Sequence, residues 1–244
     1  MLLADLHIHT TWSDGRLSIE EVIDLFGRSG HDVIAITDHI VNNDNVVGKV
    51  THRFGLTLTR ENFGAYRAAI EAAARRAWDE YRMIVIAGAE LTQNRIRRRS
   101  SAHVLALDID DYISAEGTVE EMLVRANDSG AVVVACHPHE QSEWFANTFY
   151  LWDRRHEVSN AVHLWELACR WDLFPPVARS RMRFIGNSDF HDRPHLYAWK
   201  TLLPCEPNAA DVIRTLKRGG GMAITRLEPS PELGVLPAFA AAIA

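Results

Sequence analysis

Two imidazoles stand two residues apart where the apolar run Leu2–Ile8 ends: His7 and His9, with Asp14 following in a turn closed by Gly15. Residues i and i+2 of a strand share a face, so both rings converge on one point. Two imidazoles and a carboxylate brought together in this way could seed a divalent-metal site. The His-x-His pair alone is weak, because the chain holds 12 histidines in 244 residues. Its weight comes from the other apolar runs, which end in the same residue types. Asp38-His39 follows Asp32–Thr37, Glu90 closes Met83–Leu91, His137 follows Ala131–Cys136, and Asp189 and His191 follow Arg183–Asn187. An all nitrogen and oxygen donor set suits zinc, manganese or iron better than copper or an iron–sulfur cluster.

The elements that must position these residues are legible from periodicity. Ser18–Ser29 carries Ile19, Val22, Ile23 and Phe26 at helical spacing, with Ser18 and Glu21 as a capping box and Gly30 as terminator. Thr59 is the expected N-cap of an alanine-rich helix running to Tyr81. Thr118–Ser129 is expected to be helical with Glu120 and Glu121 in its first turn, Gln141–His156 helical in part, and Asn208–Arg218 helical. Ala161–Ala168 and Thr201–Pro204 read as further strands. The polar stretch Val41–Leu58 reads as a long surface excursion, a lid or substrate loop. In Ala102–Leu107 the histidine, His103, precedes the apolar run. A parallel strand would leave it at the wrong rim, and an antiparallel return after Glu90 brings it back. Strands alternating with helices predict an α/β protein with a mainly parallel sheet and helices outside. No Gly-x-Gly-x-x-Gly or Walker-type loop is present, which removes a nucleotide-cofactor sheet. Donors spread over five or more strand ends favour a barrel, whose C-terminal rim gathers functional groups, over an open sheet with one switch point. One domain over 1–244 is expected, with 229–244 as a peripheral tail.

With these residues in order, the sequence resembles the PHP (polymerase and histidinol phosphatase) family. The four-part pattern is met by Asp5-Leu6-His7-Ile8-His9, by Thr37-Asp38-His39, by Glu90, His103 and Cys136-His137-Pro138, and by Asp189-Phe190-His191. The resemblance implies a distorted (β/α)7 TIM-like barrel with its metal site at the C-terminal rim of the strands. It implies two or three divalent ions and, most often, phosphoester hydrolysis. Nine ligands follow from it: His7, His9, Asp14, His39, Glu90, His103, His137, Asp189 and His191. His7, His9, Glu90 and Asp189 would hold one ion, Asp14, His39 and His191 a second, and Glu90, His103 and His137 a third, with Glu90 as bridge. Three dications against three carboxylates leave about +3 in the cavity, which draws in a phosphate dianion. Such ions lower the pKa of bound water and supply a hydroxide for attack on phosphorus. Glu90 and His191 would serve catalysis as metal-holding groups. Asp38, beside His39, could orient a ligand or pass a proton.

The remaining candidates have plain structural alternatives. Arg95, Arg97, Arg98 and Arg99 could grip phosphate bidentately or simply solvate a surface loop, and Arg170 and Arg193, each beside a strand end, are comparable. His139 reads as an outer or surface residue because His137 fills the motif position, and Cys136 reads as core. Glu166 could be a rim carboxylate or a buried hydrogen-bond anchor. Trp144, Trp152, Trp165, Trp171 and Trp199 read as packing, although one could stack on a base.

A formal net charge of −6 exerts no global pull toward nucleic acid or anionic membrane, so the expected partner is a small phosphorylated metabolite or nucleotide rather than an extended strand. Three scattered cysteines argue against a disulfide framework and fit a reducing compartment. Without a secretory pattern or a bilayer-length apolar stretch, the expected location is cytoplasmic. Self-association is not legible. Two rival functions stand beside hydrolysis of phosphoesters. An amidohydrolase-like C–N hydrolase shares His-x-His but often bridges its metals with a carboxylated lysine at a strand end, where none of the three lysines falls. A non-catalytic metal-binding or nucleic-acid-associated module would show a degraded donor set, and the set here is complete.

Overall fold

A computed structural model describes residues 1–139 and 148–227. β1 (Leu2–Ile8) leads to α1 (Ile19–Arg28), β2 (Val33–Ile36), β3 (His39–Val41), α2 (Val46–Arg53), α3 (Phe63–Tyr81), β4 (Ile84–Gln93), β5 (Ala102–Leu107), α4 (Val119–Asp128) and β6 (Val132–Ala135). The chain continues through α5 (Tyr150–Asp153), β7 (Leu164–Cys169), β8 (Asp172–Leu173), α6 (Pro175–Arg179), β9 (Phe184–Asn187), a 3-10 turn (Arg193–Tyr197), β10 (Trp199–Leu203), α7 (Ala209–Arg218) and β11 (Ala223–Arg226). The expected capping box of Ser18 with Glu21 forms, and a second forms between Thr118 and Glu121. Each contributes about 1 kcal/mol by pairing N–H groups that the first helical turn leaves over.

The structure corrects the chain reading in several places. The N-cap of α3 is Asn62, not Thr59, whose backbone N–H instead donates to Asn62 Oδ1 at 2.7 Å. The excursion after Val41 contains α2. The short strands β3, β8 and β11 carry too few residues for a periodic signal. Of the Gln141–His156 segment, Tyr150–Asp153 is helical, while residues 141–147, including Trp144, and the expected tail 229–244 lie outside the described residues. No helix among the described residues is long and apolar enough to cross a membrane.

The sheet follows the path β11-β10-β1-β2-β4-β5-β6-β7-β8 and curls strongly, with β3 beside β4 and β9 beside β7. Beyond β9 the chain meets β1 again through a parallel bridge between Ile8 and Phe190. Seven strands, β1, β2, β4, β5, β6, β7 and β9, thus ring the centre as a distorted barrel. β5 is antiparallel to both β4 and β6, as expected for the strand that opens with His103. The inner face is filled by strand residues such as Leu2, Ala4, Val33, Ile86, Val134 and Leu164, and Val212 and Leu216 of α7 close one end. Outside, Val22, Ile23 and Phe26 of α1 pack with Tyr66 and Ile70 of α3 over Ile34 and Ile36. Each such side chain contributes about 1.5–3 kcal/mol when fully buried.

One buried ion pair ties the barrel to the segment that carries Asp189 and His191. Lys200 Nζ lies 3.1 Å from Asp5 Oδ2, and both residues are fully buried. The ammonium also donates to the carbonyls of Ala198 and Trp199, and Asp5 Oδ1 accepts the Ser188 N–H. Removing one partner strands the other charge. We therefore expect Lys200→Met to destabilise the protein by about 3–5 kcal/mol in urea unfolding, with Asp5→Asn in the same background recovering part of the loss. A change below about 1 kcal/mol would show that the pair is dispensable.

Candidate metal centre

β1 turns its two histidines inward by a bulge. Against β2, Asp5 pairs with Ile34 but Ile8 with Ile36, so β1 contains one extra residue between those contacts. The bulge moves His7 and His9 onto the side occupied by Leu2 and Ala4. The chain then folds back sharply. Gly15 donates its N–H to Thr10 O at 3.0 Å, and a Cβ there would sit 2.3 Å from His9 O, so only glycine allows the turn that returns Asp14. Asp38 holds the same turn. Its carboxylate accepts from Thr10 N, Thr10 Oγ1 and Ser13 Oγ at 2.7, 2.7 and 2.6 Å. Asp38 was expected to orient a ligand or pass a proton, and the residue it positions is Asp14. Its oxygens are taken up by the turn, and its effect on the site runs through the position of Asp14.

The nine expected ligands form one connected cluster, in which Glu90 touches five imidazoles. Glu90 Oε2 lies 3.4 Å from His7 Nε2, 3.4 Å from His9 Nε2 and 2.8 Å from His39 Nδ1. Glu90 Oε1 lies 2.9 Å from His103 Nδ1 and 3.3 Å from His137 Nε2. Asp189 Oδ1 adds contacts of 3.5 Å to His7 and 3.3 Å to His9. Asp14 Oδ1 stands 3.6 Å from His39 Nε2 and 3.2 Å from His191 Nε2. Donor atoms close enough to share one ion form four groups, His9-Asp14-His39-His191, His7-Glu90-His137, His7-His9-Asp189 and His7-Cys136-Glu166. His103 reaches Glu90 but belongs to none of these four groups.

The geometry is that of donors awaiting a cation. His7 Nε2 and both ring nitrogens of His9 are buried without a hydrogen-bond partner. Buried polar atoms left in this condition are costly unless something else binds them, and divalent ions satisfy them together. The buried His, Glu and Asp clusters therefore fit a multi-metal site. Electrostatics agree. Burial disfavours the charged form of Glu90, but His39, His103 and His7 outweigh it and hold its pKa well below the usual range. Burial likewise opposes ionisation of Asp189, which His7 and Arg170 override. His9 is lowered to about 3 by burial and by His191 and His39, so it stays neutral with its lone pair available. His39, against burial, is raised to about 9 by Glu90 and Asp14.

A further set of groups orients the rings. The His7 Nδ1–H donates to Glu166 Oε1 at 2.9 Å, which turns Nε2 toward Glu90 and Asp189. Glu166 also accepts the His137 N–H at 2.6 Å and Asn187 Nδ2 at 2.8 Å, while Asn187 Oδ1 accepts the Leu6 N–H. The sequence left Glu166 open between rim donor and anchor, and its contacts make it the anchor. Asn187, Thr92 beside His39 Nδ1 and Asn94 beside His103 Nε2 carried no signal of their own in the sequence. His137 and Asp189 have φ of 22° and 47°, a conformation unfavourable for side-chain-bearing residues, and the His137 N–H is held by Glu166.

The arginines divide. Arg170 meets the cluster directly, with Nε 2.9 Å from Asp189 Oδ2 and Nη2 3.2 Å from His191 Nδ1. Arg170, His137, His139, Cys169, Asp172 and Asp189 line a small cleft. Two of the candidate arginines form surface ion pairs: Arg95 lies 3.0 Å from Asp44, and Arg99 binds Asp153 while covering Phe149. Arg97, Arg98 and Arg193 are exposed. His139 stacks on Phe174, and Trp152 meets the edge of buried Trp165, so these two tryptophans pack as expected.

Two outcomes follow. Glu166→Gln keeps the shape but removes the charge that fixes the His7 ring, and metal affinity measured by calorimetry should fall about 10–100-fold. Unchanged affinity would remove Glu166 from the site. For chelator-treated protein, His39 is raised in the folded state above its ordinary 6.5, so its stabilisation is full below that pH and lost as pH rises through about 9. Urea unfolding should therefore show stability falling by on the order of 3 kcal/mol across that window, with the fall diminished in His39→Gln. A rise over the same window would contradict the assignment.

Comparisons with known proteins agree with this geometry. The PHP domain family matches residues 5–149. Over 35 residues the chain is 51% identical to the DNA polymerase/3'-5' exonuclease PolX of Bacillus subtilis, a stretch covering 14% of this chain and 6% of that protein. Among solved structures, a two-domain protein from Bacteroides vulgatus containing a predicted PHP-like metal-dependent phosphoesterase superposes with a TM-score of 0.65 at 18% identity. The match covers 92% of this chain and 64% of that one. An amidohydrolase from Chromobacterium violaceum, with sulfate bound and no metal, gives a TM-score of 0.52 at 15% identity over 77% of this chain and 87% of that one. At these identities the two structures are alike in fold. With its family match covering more than half of its length and the donors of all four motifs gathered at one rim, the chain belongs to the PHP domain family.

Proposed function

We propose that the protein is a metal-dependent phosphoesterase acting on a small phosphorylated metabolite or nucleotide. The observation that carries this reading is the unpartnered nitrogens of His7 and His9, converging on Glu90 and Asp189 beside the Arg170 guanidinium. Two or three divalent ions, zinc, manganese or iron, would bind phosphoryl oxygens here and supply hydroxide at neutral pH. His7, His9, Glu90 and Asp189 would hold one, Asp14, His39 and His191 a second, and Glu90 with His103 and His137 a third.

The chain's own groups do the rest. Arg170 presents a planar fork at the edge of the cluster, suited to two phosphoryl oxygens at once. The cleft that it lines is small, which favours a compact substrate. His139, which lines that cleft, is stacked face to face on Phe174. The C–N hydrolase alternative gains no support from the lysines. Lys200 is bound to Asp5, Lys217 donates to Gly130 O, and Lys49 is exposed, so none offers a bridging carbamate, and Glu90 stands in that central position.

Purified protein supplied with each metal should release phosphate or alcohol from a panel of phosphomonoesters and dinucleotides. A chelator should abolish the activity, and Arg170→Ala should lower kcat/KM by about 100-fold or more. Absence of hydrolysis across that panel by metal-replete protein would remove the reading.

A further inference from the structure

Large apolar side chains stand in solvent beside the metal centre. Val46, Val50 and Phe54 recur every four residues along the outer face of α2 and are 68%, 49% and 70% exposed. Ile96, 69% exposed, follows Arg95, whose guanidinium lies 3.0 Å from Asp44 at the head of α2. Single exposed apolar residues are ordinary, but grouped ones mark an interaction surface. Cations stand among them: Lys49 and Arg53 on α2, and Arg97 and Arg98 in the neighbouring loop, are all exposed. Among the described residues no ion pair joins any of these four, whereas Asp44 and Asp153 neutralise Arg95 and Arg99. The inner face of α2 is fixed, because buried Gly48 lies so close to the Asn42 carbonyl that no Cβ fits.

This ledge and the last described residues of the chain border the same donor cluster from two sides. At the base of the ledge, Leu58 N donates to His39 O at 2.7 Å, and Asn94 Oδ1 lies 2.9 Å from His103 Nε2. On the other side, β11 ends at Arg226, paired with Trp199, the first residue of β10. The Trp199 N–H donates to Arg170 O at 3.4 Å, and Arg170 contacts Asp189 and His191. The Arg226 guanidinium lies over the rings of Trp171 and Trp199, 5.1 and 5.5 Å from their centroids. The chain therefore passes Leu227 at the donor rim, heading into residues 228–244. Those residues include Glu228 and Glu232, no lysine or arginine, and the apolar Leu233, Val235, Leu236, Phe239 and Ile243. From Leu227 to Phe239 an extended chain reaches up to about 40 Å. A folded chain of this size has a radius of gyration of about 18 Å, so the ledge lies within that reach.

We propose that segment 228–244 docks on this ledge, with Leu233, Val235, Leu236 and Phe239 covering Val46, Val50, Phe54 and Ile96. The direct path from Leu227 crosses the mouth of the metal centre, so the docked segment is a strap over the donors and access to them depends on its release. The proposal holds whatever reaction the site performs. Charge selects this occupant: the segment is acidic and apolar, and the ledge is cationic and apolar. A second copy placing ledge against ledge would instead bring four cations to face four cations.

The test uses the full chain with p-benzoylphenylalanine in place of Phe239, irradiated in dilute solution and digested with trypsin. No lysine or arginine follows Arg226, so residues 227–244 leave as one peptide whose partners mass spectrometry identifies. That peptide should be joined to the peptides carrying residues 46–54 or Ile96, with a yield independent of protein concentration. Lys49→Glu with Arg53→Glu should lower the yield at least about fivefold, as should raising the salt from about 0.05 to about 0.5 M. Phe54→Ser should lower it to a similar degree. These side chains are exposed, so the fold does not depend on them. In the chain that keeps Phe239, chymotrypsin should cut after Leu233 and Phe239 at least about fivefold faster in the charge-reversed variant than in the parent. The proposal is overturned if segment 227–244 makes no link to these peptides, or if links and cleavage are the same in parent and variants. It is equally overturned if links form only between isotopically heavy and light copies, which would make the occupant a second chain. Phosphatidylserine vesicles that bind through Lys49 and Arg53 to a chain whose segment makes no link would assign the ledge to a membrane and overturn it too.

Discussion

Glu90 is buried with its two oxygens within 3.4 Å of five imidazoles, those of His7, His9, His39, His103 and His137. No arrangement of protons satisfies that group well. Neutral rings leave lone pairs facing a carboxylate, and charged rings repel one another at ring separations of 4.3 Å between His9 and His39. Divalent cations resolve both problems, because each ring nitrogen then points at a positive charge that the carboxylates share. The rest of the molecule can be understood as the scaffold that keeps this otherwise unfavourable cluster together.

That scaffold works through strands rather than through the cluster itself. The β1 bulge aims His7 and His9, Gly15 and Asp38 return Asp14, and antiparallel β5 brings His103 to Glu90. Glu166 and Asn187 link β1, β7, β9 and the end of β6 in one buried network. Lys200 and Asp5 fasten the Asp189 segment to the first strand. These contacts lie one layer behind the donors, so the cost of holding like charges close is met by hydrogen bonds and an ion pair elsewhere.

Much of this was legible in the sequence because strand ends impose order. A donor at the end of an apolar run lands at the rim, and one at the start of a run lands there only if the strand is reversed, which is how His103 could be placed. What was not legible depends on partners distant in the chain. Nothing near Arg95 or Arg99 announces Asp44 or Asp153, so all four loop arginines looked alike until the fold separated two neutralised from two exposed. Asp38 sits within a motif beside a ligand, and its type says nothing of the Thr10–Ser13 turn that takes up its oxygens. Glu166 lies mid-strand, where a carboxylate can face either layer. The length of α2 was hidden because its inner face is made by Gly48 and polar residues rather than by an apolar stripe.

The central claim is that several ions share the Glu90 cluster. It is tested most directly by anomalous diffraction from crystals of the protein reconstituted with zinc or manganese. The account predicts separate peaks in the His7-His9-Asp189 group and in the Asp14-His39-His191 group, with Glu90 bound to the first. A third peak beside His103 and His137 would mark Glu90 as a bridge. Crystals of metal-saturated protein with no peak at these donors, or with a single ion held away from Glu90, would contradict it.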